Sequence, residues 1–269
     1  MKYFDTHAHY YDARFLSEEC TGGVDALLDA LFSSSVLAVI NVGTNPETCR
    51  AAIRQAKFRP YMATALGIHP TDAQELSDLP AALSEVEGMT RVKENKCIAL
   101  GEIGLDYHYP DTDRALQWEV FDAQMTMAER LGLPVVIHDR DAHGDTMTMI
   151  RKHPAVRGVL HSFSGSAEMA KELLSFDYMI SFSGTLTFKN ARKPREAAAV
   201  LPRDRILIET DAPYLAPHPL RGTLNHSGNL AYINAALAAV LGISPEACAA
   251  LTAENAMRFF GIPSLPFSV

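Results

Sequence analysis

The chain has 269 residues, 48% of them hydrophobic, and a formal net charge of -8 at pH 7. That is enough for one large α/β domain over 1–269, and no shift in composition divides it. The negative charge excludes a broad basic face that grips long duplex nucleic acid through many phosphates, but not a phosphate-bearing substrate held at one small site.

Taken in chain order, eight runs read as parallel strands, because they are continuously apolar instead of alternating, as burial on both faces demands. The first, KYFDTH, runs into His7 and His9, which share a face because side chains i and i+2 of a strand point the same way. VLAVINVG and YMATALGI follow, the latter ending before His69, and CIALGEIG carries Glu102. Between residues 112 and 131, Leu116, Val120, Ala123, Met127 and Leu131 fall on one helical face, which Gly132 and Pro134 stop. PVVIHD then carries His138, GVLHSF carries His161, and YMISFSG precedes RILIETD, which ends in Glu209 and Asp211. Residues 212–229, with Pro213, Pro217, Pro219, Gly222 and Gly228, read as a long irregular loop of the kind that borders a site. Ser244 and Pro245 predict the cap and first turn of a closing helix.

Eight strands alternating with helices predict a (β/α)8 TIM barrel, with an open doubly wound sheet as the other arrangement the count allows. A barrel places its active site at the carboxyl ends of the strands. Strands one, four, five, six and eight each end there in a group able to bind a metal: His7, His9, Glu102, His138, His161 and Asp211. A single strand histidine is more often a hydrogen-bonded structural group, so joint placement carries the reading. Six donors suffice for two divalent ions, zinc, magnesium or manganese: His7, His9, Glu102 and Asp211 around one, Glu102, His138 and His161 around the other, with Glu102 as bridge. Two such ions activate water and neutralise charge on a phosphoryl or carbonyl oxygen. Asp211 and Glu102 are the catalytic carboxylates of this scheme, Asp211 taking the proton of the attacking water. Glu209 is assigned to orienting a ligand from behind. His69 is a candidate for lining the pocket, while His108, His143, His153, His218 and His226 are assigned to loops or helices outside it.

Cys20, Cys49, Cys97 and Cys248 form no C-x-x-C pair and read as buried thiols. With no apolar leader and no run of about 18 apolar residues, a cytoplasmic protein with no membrane span and no obligate protein partner is expected.

The ordered series DTHAH, NVGT, GIHP, GEIGLDYH, PVVIHDRDA, LHSFSG, SFSGTLTFKNA, ILIETDAPYLAP and RGTLN resembles the TatD family of metal-dependent hydrolases, itself similar to the wider amidohydrolase group of barrels. The resemblance spans almost the whole chain. It implies a (β/α)8 barrel, two divalent metals, and hydrolysis of phosphodiesters in DNA, typically from the 3′ end. Carried over by motif, His7, His9 and Asp211 hold the first ion, Glu102 bridges, and His138 and His161 hold the second. Three departures bear on substrate more than on fold: Thr71 where relatives commonly have a second histidine, His226 and Ser227 in RGTLNHS, and Tyr11 where an acid is frequent.

The leading expectation is therefore a phosphodiesterase, specifically a deoxyribonuclease of the 3′ exonuclease type acting on DNA ends or short phosphodiesters. Hydrolysis of a small amide, ester or lactone by the same ions is the alternative, and a metal-binding barrel without turnover a third. Phosphate oxygens favour cationic or hydroxyl donors, which nominates Arg221, Lys189, Arg140, Ser164 and Ser183 as substrate contacts.

Overall fold

All eight apolar runs become parallel strands in the computed structural model, which describes residues 1–16, 20 and 22–267. They are β1 (Tyr3–Ala8), β2 (Val36–Val42), β3 (Met62–Leu66), β4 (Cys97–Asp106), β5 (Val135–Arg140), β6 (Gly158–Leu160), β7 (Met179–Phe182) and β8 (Ile206–Ile208). Each pairs with the next in chain order, and helices fill the connections. The ring closes just past β8, where Asp211 N donates to His7 O at 2.9 Å and His9 N to Ala212 O at 2.6 Å. The sheet is a nearly closed (β/α)8 barrel, not an open sheet.

Asp5, fully buried, fastens that seam. Its carboxylate accepts from Thr210 N at 2.9 Å, Thr210 Oγ1 at 2.5 Å, Ser227 Oγ at 2.6 Å and His7 N at 3.3 Å. Burial pushes this carboxyl up to about 6, although all four bonds oppose the shift.

Alternation along the strands sorts the core into two layers. Phe4, Ile40, Ala65, Ala99, Val136, Val159, Met179 and Leu207, one from each strand, form one cluster, which we place inside the barrel with Phe259, Phe260 and Ile262 against it. Their neighbours Leu66, Leu100, Val135, Ile137, Leu160, Ile180 and Ile208 pack in the other, with the helices. His138 is two residues beyond Val136, His161 two beyond Val159, and Glu209 and Asp211 two and four beyond Leu207, so the inward register of the core delivers these groups to the mouth.

The long helix runs Arg114–Leu131, two residues shorter than the spacing predicts, because Asp113 caps it by accepting from Leu116 N at 3.0 Å. Gly132 ends it with a left-handed φ of 66°. Its buried face is wider than the apolar stripe and includes Gln117 and Gln124. Gln124 exchanges bonds with Ile68 N and O at 2.8 and 2.9 Å, and Gln117 accepts from Asp106 N at 2.9 Å, so two buried amides pin the ends of β3 and β4 beside the site. Ser244 and Pro245 start the closing helix Pro245–Phe259 as predicted. β6 and β8 are shorter than their apolar runs, which leaves His161, Glu209 and Asp211 just beyond them. No single helix among the described residues is long and apolar enough to cross a membrane.

Candidate metal centre

Five of the six predicted donors line one cavity of about 700 Å³ at the carboxyl end of the barrel, and the sixth, His7, is buried against His9 and Glu102. Two sets form around the two oxygens of Glu102. On the Oε2 side, His7 Nε2 and His9 Nε2 lie 3.3 and 3.6 Å from the carboxylate, 3.0 Å from each other, and 3.7 and 3.4 Å from Asp211 Oδ1. On the Oε1 side, His138 Nδ1 and His161 Nε2 each lie 2.9 Å from the carboxylate and 3.2 Å apart. Ligands about 2.0–2.2 Å from a common ion stand roughly 3–3.5 Å apart, so both sets have the spacing that a cation requires.

Three of the four donor imidazoles are also held in the right tautomers, while His7 Nδ1 is buried without a partner. His9 Nδ1 donates to Val42 O at 2.7 Å, His161 Nδ1 to Glu209 Oε1 at 3.1 Å, and His138 Nε2 to Asp106 Oδ2 at 3.1 Å. Each bond consumes the outer N–H and turns the lone pair of the other nitrogen toward Glu102. His69 differs. Its Nδ1 caps the turn Pro70–Ala73 by accepting from Thr71 N at 3.2 Å, which leaves the proton on Nε2, 3.6 Å from Glu102 Oε1. It therefore faces the site as a donor rather than as a ligand. Burial pushes its pKa down to about 3, so it is neutral at ordinary pH.

Burial alone would raise the Glu102 carboxyl, but His161, His69 and His7 around it and the bond from His138 hold it well below the usual carboxylate range. His138 is lowered by burial, yet its bonds to Asp106 and Glu102 carry it up to about 9. A buried pocket that keeps its acids ionised and draws protons onto His9, His138 and His161 is one that calls for positive charge. Asp211 is placed by a left-handed φ of 56°, which Asp tolerates better than most residues and which turns the chain inward after β8. Glu209 sits behind the donors, accepting from His161 and, at 2.6 Å, from Ser162 N.

The substrate contacts divide. His69, Arg140 and Ser164 line the cavity, whereas Lys189 and Arg221 are not among its lining residues. Arg221 folds its guanidinium over the Phe188 ring at 4.4 Å, so its nearness to Asp211 in sequence does not bring it to the mouth. Lys189 is exposed away from the cavity. Ser183 is buried, its hydroxyl engaged with Ser162 Oγ at 2.7 Å and Thr185 Oγ1 at 3.1 Å. Histidines expected outside the site are outside it: His143 pairs with Asp139 at 2.7 Å, His153 with Asp122 at 2.7 Å and His108 with Asp141 at 3.1 Å. Asp106 was not singled out in the sequence, although it lies four residues beyond Glu102 on one strand, a spacing that returns to the same face.

A family model described as TatD related DNase matches residues 4–261. The chain is 36% identical over 265 residues to the uncharacterized metal-dependent hydrolase YabD of Bacillus subtilis, covering 96% of this chain and 99% of that protein. It is 36% identical over 264 residues to the uncharacterized metal-dependent hydrolase TatD of Mycobacterium tuberculosis, covering 96% and 97%. The crystal structure of YJJV, a TatD homolog from Escherichia coli K12, superposes with a TM-score of 0.88 at 28% identity, over 97% of this chain and 98% of that one. The chain belongs to the TatD family of metal-dependent hydrolases.

Proposed function

We infer that the protein is a phosphodiesterase that removes nucleotides from DNA ends, of the 3′ exonuclease type, with two divalent ions as cofactors, zinc, magnesium or manganese. The observation that carries the reading is Glu102: each of its oxygens belongs to a separate donor set, as a carboxylate bridging two cations requires. His7, His9, Asp211 and Glu102 would hold one ion; His138, His161 and Glu102 the other. The family description as a related DNase supports phosphodiester chemistry.

Bound divalent ions acidify water and neutralise charge that develops on phosphoryl oxygens. The chain's own groups supply the rest. Asp211, ionised and at the edge of the donor cluster, accepts a proton from the attacking water. His69 donates its Nε2 proton as a hydrogen bond to a substrate oxygen, which the Thr71 contacts make possible by fixing its tautomer. Arg140, the one lysine or arginine among the described residues lining the cavity, pairs with phosphate. Free, mostly buried cysteines suit the reducing cytoplasm in which we place the enzyme.

The test is to strip metal with a chelator, reload with magnesium, manganese or zinc, and assay end-labelled single-stranded DNA beside lactones and N-acyl amino acids. Stepwise shortening of the DNA that returns with the metal is expected. A lactone or amide rate above the DNA rate would replace the reading with acyl hydrolysis, and inertness toward all three classes would leave a binding barrel.

Asp106→Ala frees the His138 ring. Loss of a carboxylate that orients a metal-binding histidine costs on the order of 10- to 100-fold in metal affinity or activity. Competition against a chelating dye should show one of the two binding steps shifting by that amount; identical titration of variant and parent would remove Asp106 from the scheme.

A further inference from the structure

Two tyrosines stand at the cavity mouth without a part in the metal centre. Tyr109, in the loop after β4, is 49% exposed, and Tyr214, in the loop after β8, is 37% exposed, although both line the cavity. In a ring of eight strands β4 and β8 are four apart by either route, so these loops face each other across the mouth with the donor cluster between them. Each ring also carries a guanidinium. Arg14 lies over Tyr214 at 4.1 Å from the ring centre, and Arg140 over Tyr109 at 5.7 Å. Acids hold the assemblies in place: Tyr214 donates to Asp12 Oδ2 at 2.9 Å, Arg14 lies 3.8 Å from Asp12, and Arg140 lies 4.0 Å from Asp106.

An aromatic face this exposed on a polar wall contributes little to the core. A flat ring with a cation over one face leaves its other face to a unit that is itself a flat ring beside an anion, which is a nucleotide. We propose that Tyr214 with Arg14 and Tyr109 with Arg140 form two nucleotide platforms on opposite sides of the reactive centre, each stacking one base that flanks the scissile phosphate. The proposal rests on the phosphodiesterase reading and deepens it. Every base has a π face, so the platforms are indifferent to sequence. They require bases that are free to splay apart, so paired ends are poor substrates.

The experiment compares parent, Tyr109→Ala and Tyr214→Ala, reloaded with metal, on a single-stranded oligodeoxynucleotide and on the same strand made abasic at its last or its penultimate position. Each alanine variant should raise KM roughly 5- to 150-fold on the intact strand, the change set by one lost stacked base, with kcat little affected. The losses should not add: an alanine variant on the strand lacking the base that its ring would stack should be no worse than either change alone. Tyr109→Phe and Tyr214→Phe, which keep the ring, should restore KM. Unaltered KM in both alanine variants, or losses that add fully to those of the abasic strands, would overturn the platforms while the parent's cleavage of DNA upheld the phosphodiesterase. A parent that cleaves no phosphodiester would overturn both.

Discussion

Glu102→Gln is expected to reduce hydrolysis by about 10³-fold or more, the order lost when a group organising transition-state charge is removed, and to leave the purified protein with at most one ion instead of the two proposed for the parent. Gln has the same shape, but it replaces one carboxylate oxygen with an amide that has no lone pair to offer and removes the charge that both donor sets share. The fold should survive: Glu102 N still donates to Gly43 O at 3.1 Å, and the volume of the side chain is unchanged. Elemental analysis, turnover and circular dichroism on one preparation separate these effects. Retention of two ions together with more than a tenth of the activity would contradict the bridging role. Glu209→Gln gives the scale for comparison. It keeps an acceptor for His161 and touches only one set, so its loss should stay within the roughly 10- to 100-fold range of an orienting group.

The parts that were legible in the sequence share a physical cause. An apolar strand buried on both faces has a fixed two-residue register, so a histidine or acid two or four positions past an inward residue must continue the inward face. His138, His161 and Asp211 are found by that rule, and Glu209 with them. Loops carry no such register. Charge nominates Lys189 and Arg221, but residues 212–229 fold Arg221 back over Phe188, and of the three nominated cations only Arg140, still on a strand, lies at the mouth. Asp106 was within reach of the strand rule and was obscured by the polar segment that follows it. Gln117 and Gln124 were hidden for another reason: a polar side chain on a helix reads as solvated, and nothing local reveals that a strand end needs its hydrogen bonds. Tyr109 and Tyr214 were overlooked because an aromatic residue reads as core until the surface is known.

Gly104→Ala is expected to destabilise the protein by roughly 3 kcal/mol or more, at the upper end of what a misplaced backbone conformation costs. Gly104 has φ of 136°, a region that L residues rarely adopt, and it pairs with His138 across the β4–β5 ladder. A methyl group there would collide with the carbonyl oxygen of His138, which belongs to a strand that cannot rotate out of the way. Relief requires β5 to withdraw from β4, and His138 travels with β5. At about 2–4 °C per kcal/mol for a chain of this size, the melting temperature should fall by roughly 6–12 °C. The same displacement should weaken the metal set that contains His138, because its Nδ1 must stay 2.9 Å from Glu102. Gly132→Ala is the control. Gly132 also has a positive φ, 66°, but nothing lies within 4 Å of an added methyl group and no metal donor is attached to it. Its cost should be only about 1 kcal/mol, without an effect on metal content. Thermal melts with metal analysis on the two variants test the coupling: equal destabilisation, or a Gly104→Ala protein with parental metal affinity, would show that the close approach of β4 to β5 does not set the position of His138.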